Sequence, residues 1–175
     1  MPIAAAAAPA FTIRVFIECF DAAAKQPLRA AERETAQRFG SLGIHIEWRD
    51  GAARRDDGGV PAFSVIVLSK AMAARKIGAE GIPDATVATA NEQARRAYVF
   101  YDRLSREADR HAMPHSTLLA RVLTHELGHL IAALDHAPLG IMRSTVDHAE
   151  AGFFGFTDEQ KQALRQALTA AIARR

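Results

Sequence analysis

The residues from His125 to His136, HELGHLIAALDH, can bind a metal ion and use it. His125 and His129 are four residues apart, so on a helix they lie about 40° from each other and both imidazoles can reach one ion. Glu126 points about 100° away from His125, so its carboxylate can reach a water on the metal without binding the metal itself. This spacing predicts a Zn²⁺ site in which Glu126 is the general base for attack of water on a peptide carbonyl.

One long helix must hold these side chains in place. The segment from His115 to about Leu134 follows Pro114 and has helical spacing of its apolar residues throughout. Its leucines fall on the face opposite the histidines: Leu123, Leu127, Leu130 and Leu134. We therefore expect the leucines to enter the core while the histidines face a cleft.

The rest of the chain predicts an α/β architecture. Strands are expected at Phe11–Glu18, Ile44–Trp48, Phe63–Ser69 and Tyr98–Tyr101, and a short strand at Thr86–Thr89 within the weakly patterned stretch Lys70–Gln93. Helices are expected at Leu28–Phe39 and after a capping box formed by Thr157 and Gln160. Phe63–Ser69 is almost continuously apolar, which favours the centre of the sheet. The order predicts a sheet packed against the long helix and a C-terminal helix.

Length and composition are typical of one globular domain. The 175 residues are enough to bury a core without disulfides. We predict a flexible N-terminus at residues 1–10 and a single domain at residues 11–175. The 22 basic and 20 acidic residues nearly balance, and no segment concentrates the net charge of +2. We therefore expect no nucleic-acid partner, and we expect a monomer.

The sequence does not predict disulfide bonds or a membrane-spanning segment. Cys19 is the single cysteine, which excludes an internal disulfide and a thiolate cluster for metal binding. No apolar run of about 18 residues is present, so we expect no transmembrane helix and no membrane partner. The opening MPIAAAAAPA has no basic residues before its alanine run, so we expect no intact signal peptide there.

HELGHLIAALDH and the following APLGIMRS together resemble the metzincin zinc metalloproteases. Ile141-Met142 resembles the methionine turn that lies beneath the metal in that clan. YVFYDRL, HELGHLI and GIMR further resemble a group of short bacterial metzincin-like proteins that are loosely related to the matrixin and astacin peptidases. The likeness covers most of the chain, although its specific motifs lie only in the helix and the methionine turn.

This resemblance implies a mixed, twisted sheet packed against an active-site helix. It implies a zinc endopeptidase acting on a peptide or protein substrate, secreted or periplasmic, with Met142 as a hydrophobic floor beneath the zinc. An edge strand, here Ala97–Tyr101, would border the cleft and bind the substrate as an added strand.

The third zinc ligand has two adjacent candidates. The usual metzincin motif has a glycine three residues after the second histidine and another histidine three residues later, where this chain has Ala132 and Asp135. We prefer His136 as the ligand, with Asp135 turning the chain, because aspartate tolerates left-handed backbone. Asp135 is the alternative ligand, since zinc accepts carboxylate as well as imidazole. Glu150 is a third candidate, by analogy with a clan in which a later glutamate completes the site.

A non-catalytic zinc module that binds another protein is the alternative function. Structural zinc sites usually have four protein ligands, whereas catalytic sites leave one position for water or substrate. The number of protein side chains around the metal therefore separates the two functions.

Overall fold

The computed structural model describes residues 10–53, 59–144 and 155–174. Its elements are β1 (Phe11–Cys19), a 3-10 turn (Ala22–Ala24), α1 (Lys25–Gly40), β2 (Ile44–Asp50), β3 (Ala62–Leu68), α2 (Lys70–Glu80), β4 (Ala88–Asn91), β5 (Arg96–Phe100), α3 (Tyr101–Arg110), α4 (His115–Ala132) and α5 (Asp158–Ala173). Most of the predicted flexible N-terminus lies outside the described residues, so that prediction stays untested.

The five strands form one sheet in the order β2-β1-β3-β5-β4. Neighbouring strands are parallel except β4, which runs antiparallel to β5. β3 occupies the centre and is buried on both faces, as its continuous apolar run predicts. The predicted fold class, α/β with a mixed sheet packed against a long helix and a C-terminal helix, is confirmed.

Helices cover the two faces of the sheet unequally. Alternate residues of β1, β2, β3 and β5 pack with α1, α4 and α5 in the main core; these include Ile13, Val15, Ile44, Val65 and Val99. α2 packs on the other face, against a smaller cluster formed by Ile66, Leu68 and Phe100. The metal-binding segment therefore belongs to a helix that is held by the main core. No helix in the described ranges has the length and apolarity to cross a membrane.

Two helices were not expected from the sequence. α2 has a recognisable start, because Ser69 Oγ accepts a hydrogen bond from Met72 N, but Ala73 is its single fully buried residue and its apolar pattern is weak. α3 begins at Tyr101, which the sequence placed at the end of a strand. Its buried residues Leu104 and Ala108 follow Tyr101 at helical spacing, a pattern that indicates a helix.

The expected cleft-bordering edge strand, Ala97–Tyr101, is wrong. This segment is β5, which pairs with β3 on one side and β4 on the other. The edge strand is β4, which also lies slightly later than the expected Thr86–Thr89. Its four residues, ATAN, carry little apolar pattern, and antiparallel pairing with β5 (Ala88 opposite Val99, Asn91 opposite Arg96) holds them in the sheet.

Candidate metal centre

α4 presents the metal-binding segment much as its periodicity predicts. The helix begins after Pro114, whose carbonyl accepts a hydrogen bond from Leu118 N at 3.2 Å. Leu123, Leu127 and Leu130 are buried in the main core. Leu134 lies beyond the end of the helix and is only partly buried, because the helix stops at Ala132.

Three imidazoles converge at the C-terminal end of α4. The ring nitrogens of His125, His129 and His136 lie within 4.8 Å of one another. Nε2 of His125 and Nε2 of His129 are 2.9 Å apart, so both point into the same small space. The ring centre of His136 lies 5.2 Å from that of His125 and 5.0 Å from that of His129. Such an arrangement suits three nitrogen ligands of one ion.

Two backbone carbonyls orient the rings on α4. His125 Nδ1 lies 2.8 Å from Ile141 O, and His129 Nδ1 bonds to Leu134 O. Because a carbonyl can only accept, each Nδ1 carries the proton and each Nε2 keeps its lone pair free for a metal. No sequence pattern indicates these two partners, since any residue type supplies a backbone carbonyl.

Burial favours the metal-binding form of these histidines. Burial, together with the neighbouring His129 and His136, lowers the pKa of His125 to about 4 against the opposing bond to Ile141 O. Burial also lowers the pKa of His129, while the bond to Leu134 O opposes that shift. Both rings are therefore favoured as neutral imidazoles, the form that binds metal.

The structure brings His136 to the pair, and Asp135 is not in the group. The expectation that Asp135 turns the chain is wrong, because the left-handed residue is Ala133, with φ 48° and ψ 42°. α4 continues through Ala132, where the usual motif would have its glycine. The left-handed residue, Ala133, is therefore one position later than the glycine of the usual motif. His136, three residues after Ala133, is one position later than the third histidine of that motif.

Ala133→Gly should stabilise the protein. A left-handed alanine is strained, because its Cβ crowds the following carbonyl, whereas glycine has no Cβ. Allowing for the greater freedom of glycine in the unfolded chain, we expect the free energy of unfolding to rise by about 0.5–1 kcal/mol. Urea denaturation of the zinc-free protein measures this free energy of unfolding. The control is Ala132→Gly, at a helical position, which should lower stability; equal losses in both variants would contradict the strain.

Glu126 lies beside these imidazoles in sequence and is 5% exposed. Its Oε2 has no hydrogen-bond partner within the described part of the chain. Burial raises the pKa of this carboxyl to about 8. A buried carboxylate oxygen without a partner is costly, which makes Glu126 a candidate functional residue.

Met142 is fully buried against the turn of α4 that separates the two metal-binding histidines. A Cβ on Gly128 would lie 2.7 Å from Met142 Sδ and 3.2 Å from Phe156 Cε1, so only glycine allows this close approach. Met142 therefore packs directly beneath the HELGH backbone. Its role as a floor for the metal stays a prediction.

The donor set fits the predicted Zn²⁺. Three imidazoles are a common set of zinc ligands, and two of these rings are oriented by hydrogen bonds to backbone carbonyls. The Oε2 of Glu126, the residue after His125, is buried without a partner in the described residues and has the capacity to accept a hydrogen bond from a water. Glu150, the third candidate, lies outside the described residues.

The architecture matches solved metallopeptidases. Archaemetzincin from Methanopyrus kandleri superposes with a TM-score of 0.61 at 15% identity, over 90% of this chain and 96% of that one. The fold is that of a zinc metallopeptidase. A zinc-dependent peptidase from Methanocorpusculum labreanum gives a TM-score of 0.55 at 15% identity, over 87% of this chain and 99% of that one.

These likenesses establish the metallopeptidase fold alone. No protein-family model and no curated protein matches the chain. The narrower relation to matrixins and astacins, the expected monomer and the location outside the cytoplasm stay predictions.

Proposed function

We propose that this protein is a zinc-dependent endopeptidase in which Glu126 is the general base. The observation that carries the proposal is the convergence of three imidazoles, two of them on a helix in which the residue after His125, Glu126, is a buried carboxylate whose Oε2 has no partner in the described residues. The metallopeptidase fold supports it, because an archaemetzincin and a zinc-dependent peptidase have the same fold.

The residues of the chain divide the chemistry between them. His125, His129 and His136 would hold Zn²⁺, which would polarise the scissile carbonyl and make water more acidic when bound. Glu126 takes the proton from the attacking water and passes it to the leaving amine. The dry surroundings of Glu126, which raise its pKa to about 8, suit both tasks, because a carboxyl with that pKa can accept and release a proton near neutral pH.

The edge of the sheet supports a peptide substrate. Within the described residues β4 pairs only with β5, so its outer N–H and C=O groups are open to an added strand. Ala88 and Ala90 of β4 pack against the core that holds α4. A strand edge binds main chain and needs no chain terminus, which favours an endopeptidase acting on an extended, unstructured segment.

The number of ligands favours the enzyme over a structural zinc module. Among the described residues the group has three members, which leaves the open position that a catalytic site needs. A structural module would need a fourth protein ligand.

Hydrolysis of casein tests the proposal. We expect internal cleavage by the zinc-loaded protein, loss of cleavage after the metal is removed with a chelator, and recovery when one equivalent of zinc is restored. Mass spectrometry of the fragments identifies internal cuts. Stoichiometric zinc without hydrolysis of casein or of a mixed peptide library would instead support the non-catalytic module.

A further inference from the structure

The main chain of Ile141 connects His125 to the segment that precedes α5. Ile141 O is the partner of His125 Nδ1 at 2.8 Å. Ile141 N donates to Gly155 O at 2.9 Å, two residues before the N-cap of α5. We call Gly140–Met142 together with Gly155–Phe156 the bridge, because these two short segments join the metal centre to the C-terminal helix.

The two segments of the bridge are packed too closely for any added atom between them. Gly140 has φ 77°, and a Cβ there would lie 2.7 Å from Gly155 O. The first segment is also closed on itself by a hydrogen bond of 2.8 Å from Ala137 N to Met142 O. A shift of Gly155 would therefore be passed to Ile141 rather than absorbed by a gap.

Phe156 anchors the second segment in the core. It is 3% exposed and packs edge-on against Phe39 of α1, with ring centres 5.5 Å apart. Its Cε1 also approaches the backbone of Gly128, which lies between His125 and His129 of α4. Phe156 thus contacts the helix that carries the ligands and the helix packed beside it.

The beginning of α5 is itself fixed. Thr157 N donates to Gln160 Oε1 at 2.9 Å, and Gln160 N donates to Thr157 Oγ1 at 3.3 Å, which completes a capping box. Leu164 and Leu168 dock the helix in the main core. The bridge therefore ends on a rigid element and not on a free loop.

We propose that Gly140 and Phe156 are positioning residues for the metal centre. They align the His125 imidazole through the main chain of Ile141. The inference rests on the zinc site of the proposed function but not on peptide hydrolysis. Loss of an outer partner of a metal-binding histidine typically weakens metal binding about 10–100-fold, because the ring loses its fixed orientation. The same loss is expected when the bridge is opened.

Gly140→Ala opens the bridge directly, and Gly81→Ala is its matched control. Gly81 also has positive φ, 62°, but no atom lies within 4 Å of its added Cβ. Both variants carry the backbone strain of a left-handed alanine, and only Gly140→Ala pushes on Gly155. Competition with a chromophoric chelator should show zinc affinity lowered at least about tenfold in Gly140→Ala and unchanged in Gly81→Ala. Equal affinities in the two variants would overturn the proposal.

Phe156→Ala tests the anchor with a different side chain. Leu168→Ala is the control, because it also leaves a cavity in the packing of α5 but lies far along the helix from the bridge. We expect Phe156→Ala to weaken zinc binding and to change the visible spectrum of the Co²⁺-substituted protein, while Phe156→Leu restores most of both. Leu168→Ala should lower stability and leave the spectrum as in the parent. An unchanged spectrum and affinity in folded Phe156→Ala would refute the anchor.

These readouts are independent of catalysis. Zinc binding with the expected ranking but no hydrolysis of peptides would remove the proposed function and leave the positioning role intact. Hydrolysis of peptides together with identical zinc affinity in all five variants would remove the positioning role and leave the proposed function intact.

Discussion

Glu126→Gln should retain one equivalent of zinc and lose casein hydrolysis by about a thousandfold in kcat. Glutamine keeps the shape of the side chain but cannot take a proton from water. The three imidazoles that hold the metal are untouched, so zinc stoichiometry should match the parent. Because the amide is neutral, it also avoids the burial cost that raises the pKa of the Glu126 carboxyl to about 8, and folding should not suffer.

Glu32→Gln is the matched control for this variant. Glu32 is a second buried glutamate, 6% exposed, on α1, and it pairs with Arg29. Its replacement should leave kcat within about twofold of the parent, since general-base catalysis needs a group within hydrogen-bond reach of the water. Peptide hydrolysis at the parental rate by metal-loaded Glu126→Gln would exclude Glu126 as the base.

His136→Ala should weaken zinc binding by more than about a hundredfold, which exceeds the usual effect of removing a hydrogen-bond partner of a metal ligand. The nitrogens of His136 lie within 4.8 Å of those of the pair on α4, so removing the ring takes away one of three ligands. Asp135→Ala should alter zinc affinity by less than about threefold. Asp135 raises the pKa of His129 only through charge at a distance, and it is not in the ligand group.

The two variants form their own control, because they are adjacent and both remove a polar side chain from the same loop. Competition titration with a zinc chelator measures each affinity, and circular dichroism checks the fold. The opposite ranking, with Asp135→Ala as the more damaging change, would assign the third ligand to the carboxylate.

The sequence predicted most of the elements that hold the site. Strong periodicity identified β1, β2, β3 and α4, and the capping box located the start of α5. The sequence missed α2, where Ala73 is the single buried residue, and it placed the short strand β4 two residues too early, because the local pattern of both segments carries little information. The order of strands in the sheet, which makes β4 the edge, depends on long-range pairing that no local pattern reports.

The choice between the two candidates for the third ligand also depends on tertiary structure. The sequence limited the main choice to His136 or Asp135, but the choice depends on which residue after α4 adopts left-handed backbone. That residue is Ala133, a type that rarely does so and therefore gives no local signal. Packing and the hydrogen bond from Ala133 N to His129 O hold it there.

The sequence by itself determined that His125 and His129 project from one face of a helix, with Glu126 next to the first of them in the chain, because helical geometry fixes the directions of side chains that are close in the chain. Only the tertiary structure decided that His136 joins them, that Met142 lies beneath Gly128, and that Ile141 and Leu134 orient the rings. Each of these depends on where a turn places backbone atoms. Such placement is set by the packing of distant segments, and residue type alone does not encode it.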